Sequence, residues 1–205
     1  MGVISNGTTL LDAGALDSGV ATGVMTLIKT LTASSSATLD FVNGASNVVF
    51  DGTYKEYVFK FIDIHPATNS VKFTFQADTG TNTNYNQAIT STAFQAYHTE
   101  GDSGAALAYE GGNDQPQGTA FQPLSVEVGA DADQSAVGKL TIFDPSSSTF
   151  VKHFISTINS YTPTPNSQND FIAGYFNTTT AITRFQFKMS SGNIDSGIIK
   201  LYGVA

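Results

Sequence analysis

The chain has no cysteine and no tryptophan. Without cysteine there is no disulfide framework, no thiol nucleophile and no thiolate-bound zinc or iron–sulfur centre, so stability has to come from packing or from partner chains. Charge is scarce as well. Only 13% of the 205 residues are Asp, Glu, Lys or Arg, against roughly 25% in an average globular protein, and Thr, Ser, Asn and Gly take their place. Basic residues are the rarer kind, 9 against 17 acidic ones, and a formal charge of −8 repels a phosphate backbone, so no nucleic-acid partner is expected. No apolar run approaches the roughly 20 residues of a membrane-spanning helix. The start, Met1-Gly2-Val3-Ile4-Ser5-Asn6, lacks the basic region of a signal peptide, and neither membrane insertion nor processing is expected.

Acid–base groups are few. The three histidines are His65, before a proline in a turn, His98, and His153, which alternates with Phe150, Lys152 and Phe154 on a strand pattern; a structural role is the preferred reading for each. There is no Gly-x-Ser-x-Gly elbow, His-Glu-x-x-His helix or Gly-x-x-x-x-Gly-Lys-Ser/Thr loop, which argues against hydrolase, zincin and nucleotide-binding readings. Paired carboxylates for glycoside hydrolysis need not be neighbours in sequence, but the only glutamates are Glu56, Glu100, Glu110 and Glu127. No enzyme and no cofactor is expected. Asp131 and Asp133 form an oxygen-rich turn of the kind calcium prefers, yet the twelve-residue EF-hand pattern is missing, so the turn reads as solvated and no metal is expected. The sequons at Asn6 and Asn177 matter only on a secretory route.

What is present divides into two parts, an arm over residues 1–24 and a body over 25–205, with a length that suits one main domain. In the arm, Leu11-Asp12-Ala13-Gly14 is echoed by Leu16-Asp17-Ser18-Gly19, a spacing suited to successive tight turns. Its large apolar residues, Val3, Ile4, Leu10, Leu11, Leu16 and Val20, are too few for a core. They gain burial only against a partner, so the arm reads as an extended docking segment.

From Met25 onward the apolar residues are β-branched or aromatic and recur every second position, the strand period. In Tyr57 to Ile64, Tyr57, Phe59 and Phe61 fall on one face and Val58, Ile62 and Ile64 on the other, so a central strand is expected. Val71 to Ala77 puts Val71, Phe73 and Phe75 inward and Lys72, Thr74 and Gln76 outward. Alternation returns at 139–143, 150–155, 184–189 and 198–202, and more weakly at 25–31, 38–42, 92–98, 124–128 and 171–176. Ile89 to Tyr97 fits a helical turn as well as a strand. Turn clusters such as Asp144-Pro145-Ser146-Ser147 separate the runs. About ten short strands without a helical stripe predict an all-β, antiparallel two-sheet β-sandwich, jelly-roll-like.

One polar stretch, Thr99 to Gln122, breaks this rhythm and is longer than ordinary loops. It is the first candidate for a contact or ligand surface, through Tyr109, Asn113, Asp114 and Gln115.

The ending Gly197-Ile198-Ile199-Lys200-Leu201-Tyr202-Gly203 resembles the Gly-x-Ile-x-Leu-Tyr-Gly strand that closes β-sandwich domains in structural proteins of tailed bacteriophages, especially marine ones. Gly174-Tyr175-Phe176-Asn177-Thr178 and Tyr54 to Phe61 are similar to other strands of those domains, and the likeness covers about residues 35–205. It implies a virion component with no catalytic residues: a head decoration or cement protein, a head fibre or a tail-fibre module. The absence of a repetitive shaft favours decoration. The implied partners are other virion proteins, a major capsid protein or a tail component, and further copies of the chain, with a homotrimer favoured. The rival reading is a carbohydrate-binding receptor tip, in which Tyr85, Tyr97 or Tyr109 would stack on a host surface glycan.

Overall fold

The computed structural model describes residues 3–5, 8–12, 15–16 and 25–204. Strands β1 (Val3–Ser5), β2 (Thr8–Asp12) and β3 (Ala15–Leu16) pair with one another as a small antiparallel sheet. The described part of the arm is therefore three short paired strands and not one extended segment, which corrects the expectation of an extended arm; the second Asp-x-Gly unit, Asp17-Ser18-Gly19, lies outside the described residues.

The body contains β4 (Met25–Ser36), β5 (Leu39–Val42), β6 (Glu56–Pro66), β7 (Phe73–Thr79), β8 (Ile89–Thr99), β9 (Ala105–Tyr109) and β10 (Pro116–Gly118). It continues with β11 (Gln122–Pro123), β12 (Ala136–Phe143), β13 (Lys152–Tyr161), β14 (Asn166–Phe176), β15 (Ile182–Met189) and β16 (Ile194–Val204). These strands form two antiparallel sheets packed as a sandwich. One has the order β11-β7-β15-β5; the other runs β10-β8-β14-β13-β12-β6-β16-β4, with β9 also paired to β8.

The order contains a jelly roll. Strands β4, β16, β6 and β12 form one four-stranded layer and β5, β15, β7 and β11 the facing one. The chain crosses between layers at each step except from β7 to β11, which are neighbours. Two insertions widen the first layer: β8 to β10 in the β7–β11 connection, and β13 and β14 between β12 and β15. Both insertions add to the free edge of β12.

Alternation explains most of the core. Tyr57, Phe59 and Phe61 of β6 and Phe185 and Phe187 of β15 face each other across the sandwich, and Phe187 has five other rings around it. Four expectations need correction. Ile64 shares the core face with Phe61, because Asp63 (φ 51°) forms a bulge that turns the strand over. Thr74 and Gln76 are buried, since β7 lies inside the four-stranded sheet and the 119–125 segment crosses it. The Thr99–Gln122 stretch is not one long loop but contains β9 and β10, so the body has more strands than the alternation shows. Residues 89–99 form a strand and no helical turn, whereas 124–128 supply only a bridge from Val128 to Val71.

The two glycines of the closing motif are packing devices. A Cβ on Gly203 would sit 2.2 Å from the Tyr54 ring, and one on Gly197 (φ +124°) would sit 2.7 Å from the carbonyl of Asp63 in the bulge.

Candidate functional site

The four-stranded sheet covers one face of the wide sheet, and the opposite face is the most distinctive surface of the body. Antiparallel register lines up its outward residues in rows across the strands. One row runs Leu27, Tyr202, Val58, Thr141, Ile155, Ala173, Thr92. Leu27 and Ile155 are 51% and 54% exposed. The neighbouring row runs Tyr109, Phe94, Phe171, Thr157, Lys139, Lys60, Lys200. In it the Phe94 and Phe171 rings stack with centroids 4.7 Å apart and planes 10° apart. The Lys60 ammonium lies 5.3 Å from the centroid of Tyr202 in the first row. Two depressions adjoin the rows, one of about 460 Å³ between Thr92, His153, Ile155 and Tyr175, and one of about 160 Å³ beside Phe94, Ile155 and Phe171.

The four residues expected to form a contact loop separate. Tyr109 is 61% exposed, and its hydroxyl donates to the Asp114 carboxylate, which raises the Tyr109 pKa. Asn113 and Gln115 are buried, which corrects their placement on a surface loop. The Lys72 ammonium donates to Asn113 Oδ1 at 2.5 Å. Gln115 donates to the carbonyl of Ala120, while its backbone N–H donates to Ser91 Oγ at 2.9 Å. Gln122 completes this network: its Oε1 accepts from Ser91 Oγ at 2.7 Å, and its Nε2 donates to the carbonyls of Asn113 and Pro123. These groups fasten the segment against β8 from inside. Of the tyrosines weighed as sugar platforms, Tyr85 is buried and donates to Asp40, Tyr97 is half-buried, and Tyr109 alone is well exposed.

Of the arm residues, Val3, Ile4, Leu10, Leu11 and Leu16 lie on β1 to β3, while Val20 lies outside the described residues. β4 ends the wide sheet, and its second edge has no strand partner among the described residues.

The titratable groups are dispersed. His65 Nδ1 donates to the carbonyl of Gln134 at 2.6 Å, His98 approaches Asp102, and His153 packs against the Tyr175 ring. Glu127 accepts from Ser70, and Glu100 lies in the turn after β8. Asp131 and Asp133 are exposed on a turn closed by Gln134. Among the described residues, no group of three or more His, Asp or Glu side chains is placed to hold a metal ion. Three charged side chains are fully buried, and one of them, Asp78, accepts from the Thr79 and Tyr85 N–H groups and from Gln87 Nε2. Asp170 is fully buried; burial pushes its pKa up to about 6, against the pull of hydrogen bonds from Val126 N–H and Gln168 Nε2. Lys152, also fully buried, donates to the carbonyls of Phe150 and Thr178, and burial lowers its pKa.

The lysine and aromatic rows escape sequence reading because their members sit on strands far apart in the chain. Lys60 lies in a run apolar on both faces, and only the register makes it a neighbour of Lys139 and Lys200. No protein-family model, curated protein or solved structure matches this chain.

Proposed function

We propose that this chain is a non-enzymatic structural protein of a tailed-phage virion, a capsid decoration or cement protein held on the particle through its N-terminal arm. The observation that carries the attachment is the β4 edge. β4 has 12 residues, one charge (Lys29) and no proline, and it follows the arm directly in the chain. Protected edges are usually short, charged or interrupted by proline. An edge this long with a single charge suits strand addition, with main-chain hydrogen bonds offsetting the ordering of a docked segment. An arm strand of a neighbouring copy or a strand of a capsid or tail protein fits it, and a closed homotrimer is the assembly we favour.

The resemblance of the closing strand to those of phage sandwich domains supports the same reading. The alternative, a tail-fibre or glycan-binding receptor module, is favoured by the exposed aromatic residues of the wide sheet.

The test compares the full-length chain with a variant lacking residues 2–24. The truncated body should keep its β-type circular dichroism and cooperative melting but lose the oligomer in light scattering and fail to rebind particles stripped of this component. Equal occupancy of both proteins would place attachment on the sandwich.

A further inference from the structure

With 9 basic residues against 17 acidic ones, cations are the scarce side chains of this protein, yet three of the nine stand next to one another. Lys139, Lys60 and Lys200 occupy directly paired positions on β12, β6 and β16. Like charges opposite each other on adjacent strands are destabilising, and a mixed surface ordinarily intersperses the signs. Here the ion pairs among the described residues are Lys55–Asp144 and His98–Asp102, and neither involves this row. The rest of their own row is neutral: Thr157, Phe171 and Phe94 continue it, and Tyr109 ends it, while a carboxylate on the same face of β6, Glu56, lies four residues along the strand from Lys60 and makes no ion pair with it.

We propose that this row is a binding site for an acidic polysaccharide, a polyuronate-like chain lying across the strands with its carboxylates on the lysines and its sugar rings against Phe171, Phe94 and Tyr109. The row spans six inter-strand steps, roughly 29 Å at about 4.8 Å per step, which suits an extended polymer better than a small molecule. The cationic end lets each ammonium meet an anion that the protein does not provide. At the aromatic end, the stacked pair offers a broad apolar edge to the C–H faces of sugars. The depressions beside Phe94 and Ile155 leave room for ring substituents. A nucleic acid fits less well: its phosphates are far denser than three lysines can match, and the charge of −8 opposes it. The site is argued from the face alone and does not depend on where the protein sits on a particle.

The experiment is affinity electrophoresis and calorimetry of the full chain with polygalacturonate, with its methyl-esterified form and single-stranded DNA as comparisons. The protein should bind polygalacturonate, and the affinity should fall with salt as about two to three counterions are released. Esterification should remove binding. The triple variant Lys60→Gln/Lys139→Gln/Lys200→Gln should lose at least tenfold in affinity, and Phe94→Ala several-fold, while Lys55→Gln, outside the row, should bind as the unaltered protein does. Circular dichroism of each variant separates lost binding from lost folding. No binding to polygalacturonate at low salt, an equal loss in Lys55→Gln, or tighter binding to single-stranded DNA would each overturn the proposal. Particle rebinding by the arm is measured separately, so either reading can fail alone.

Discussion

Beneath the jelly-roll strands the sandwich is filled with aromatic rings, whereas beneath the inserted strands amides, hydroxyls and a carboxylate are interleaved with the apolar side chains. Phe41, Phe59, Phe61, Phe73, Phe75 and Phe187 form one contiguous ring cluster. The inserted strands join this cluster only through Phe154 and Phe176, which meet Phe75; elsewhere under β8 and β14, Ser91, Gln115, Gln122, Gln168 and Asp170 are buried alongside Ile89, Ala93 and Ile172. The aromatic half gains from area removed from water, which tolerates small changes of orientation. The polar half gains little net free energy from each hydrogen bond, but leaving one partner unmatched there is costly, so it fixes the position of the crossing segment 113–126. Stability and placement are thus supplied by different parts of one sandwich.

The sharpest way to break this comparison is Phe187→Ala. Phe187 is fully buried, with the rings of Phe41, Phe59, Phe61, Phe73 and Phe75 between 5.0 and 6.2 Å away. Removing it leaves a cavity that five rigid rings cannot close, so we expect a loss of about 3–5 kcal/mol. Urea unfolding should show a lower midpoint with an unchanged slope. A loss under about 1 kcal/mol would mean that the aromatic half is not the main source of stability.

The same division decides what the sequence made legible. The aromatic half announces itself: Phe73-Thr74-Phe75 and Phe185-Gln186-Phe187 alternate, and the sandwich class follows from such runs. The polar half does not, because Gln122 or Asp170 at a core-facing position reads as an outward residue in any pattern based on hydropathy. β9 to β11 were hidden for a related reason. Their residues, Ala105-Ala106-Leu107-Ala108-Tyr109 among them, lie at an exposed edge or are satisfied by buried amides, and show no two-residue period. The bulge at Asp63 could not be seen either, since one inserted residue changes the face of all that follow. The lysine row was not legible, because Lys60 lies in a run read as apolar on both faces and register between distant strands is a tertiary property.

Asp170 sharpens the comparison through pH. Its carboxyl, raised from an ordinary 3.8 to about 6 chiefly by burial, binds its proton more tightly folded than unfolded; Gln168, Val126 N–H and, more distantly, Glu110 are the polar and charged groups that act on it. Its contribution to stability is therefore fully present below about pH 4 and is lost as the pH rises through 6. A shift of roughly two units corresponds to about 3 kcal/mol. Urea unfolding of the unaltered protein and of Asp170→Asn between pH 3.5 and 7 should show the stability difference moving in favour of the variant as the pH rises, by up to about that amount. A difference that does not change with pH would contradict burial as the dominant influence on this group.

The smallest expected effect is the most local. Gln122 has no exposed surface, and its amide joins Ser91, Asn113 and Pro123. In Gln122→Ala the carbonyls of Asn113 and Pro123 lose their donor and Ser91 Oγ loses its acceptor, which we expect to cost about 1–3 kcal/mol. What separates this variant from Phe187→Ala is where the structure opens. The 113–126 segment is tied down by such bonds, so Gln122→Ala should speed amide exchange at Ser91 and Gln115, whose backbone groups bond each other and Ser91 Oγ. Exchange at Phe185 and Phe187, deep between β5 and β7, should stay as slow as global unfolding of the variant allows. Equal acceleration at both pairs of amides would show that the two halves unfold as one unit and that the polar network contributes to overall stability and not to placement.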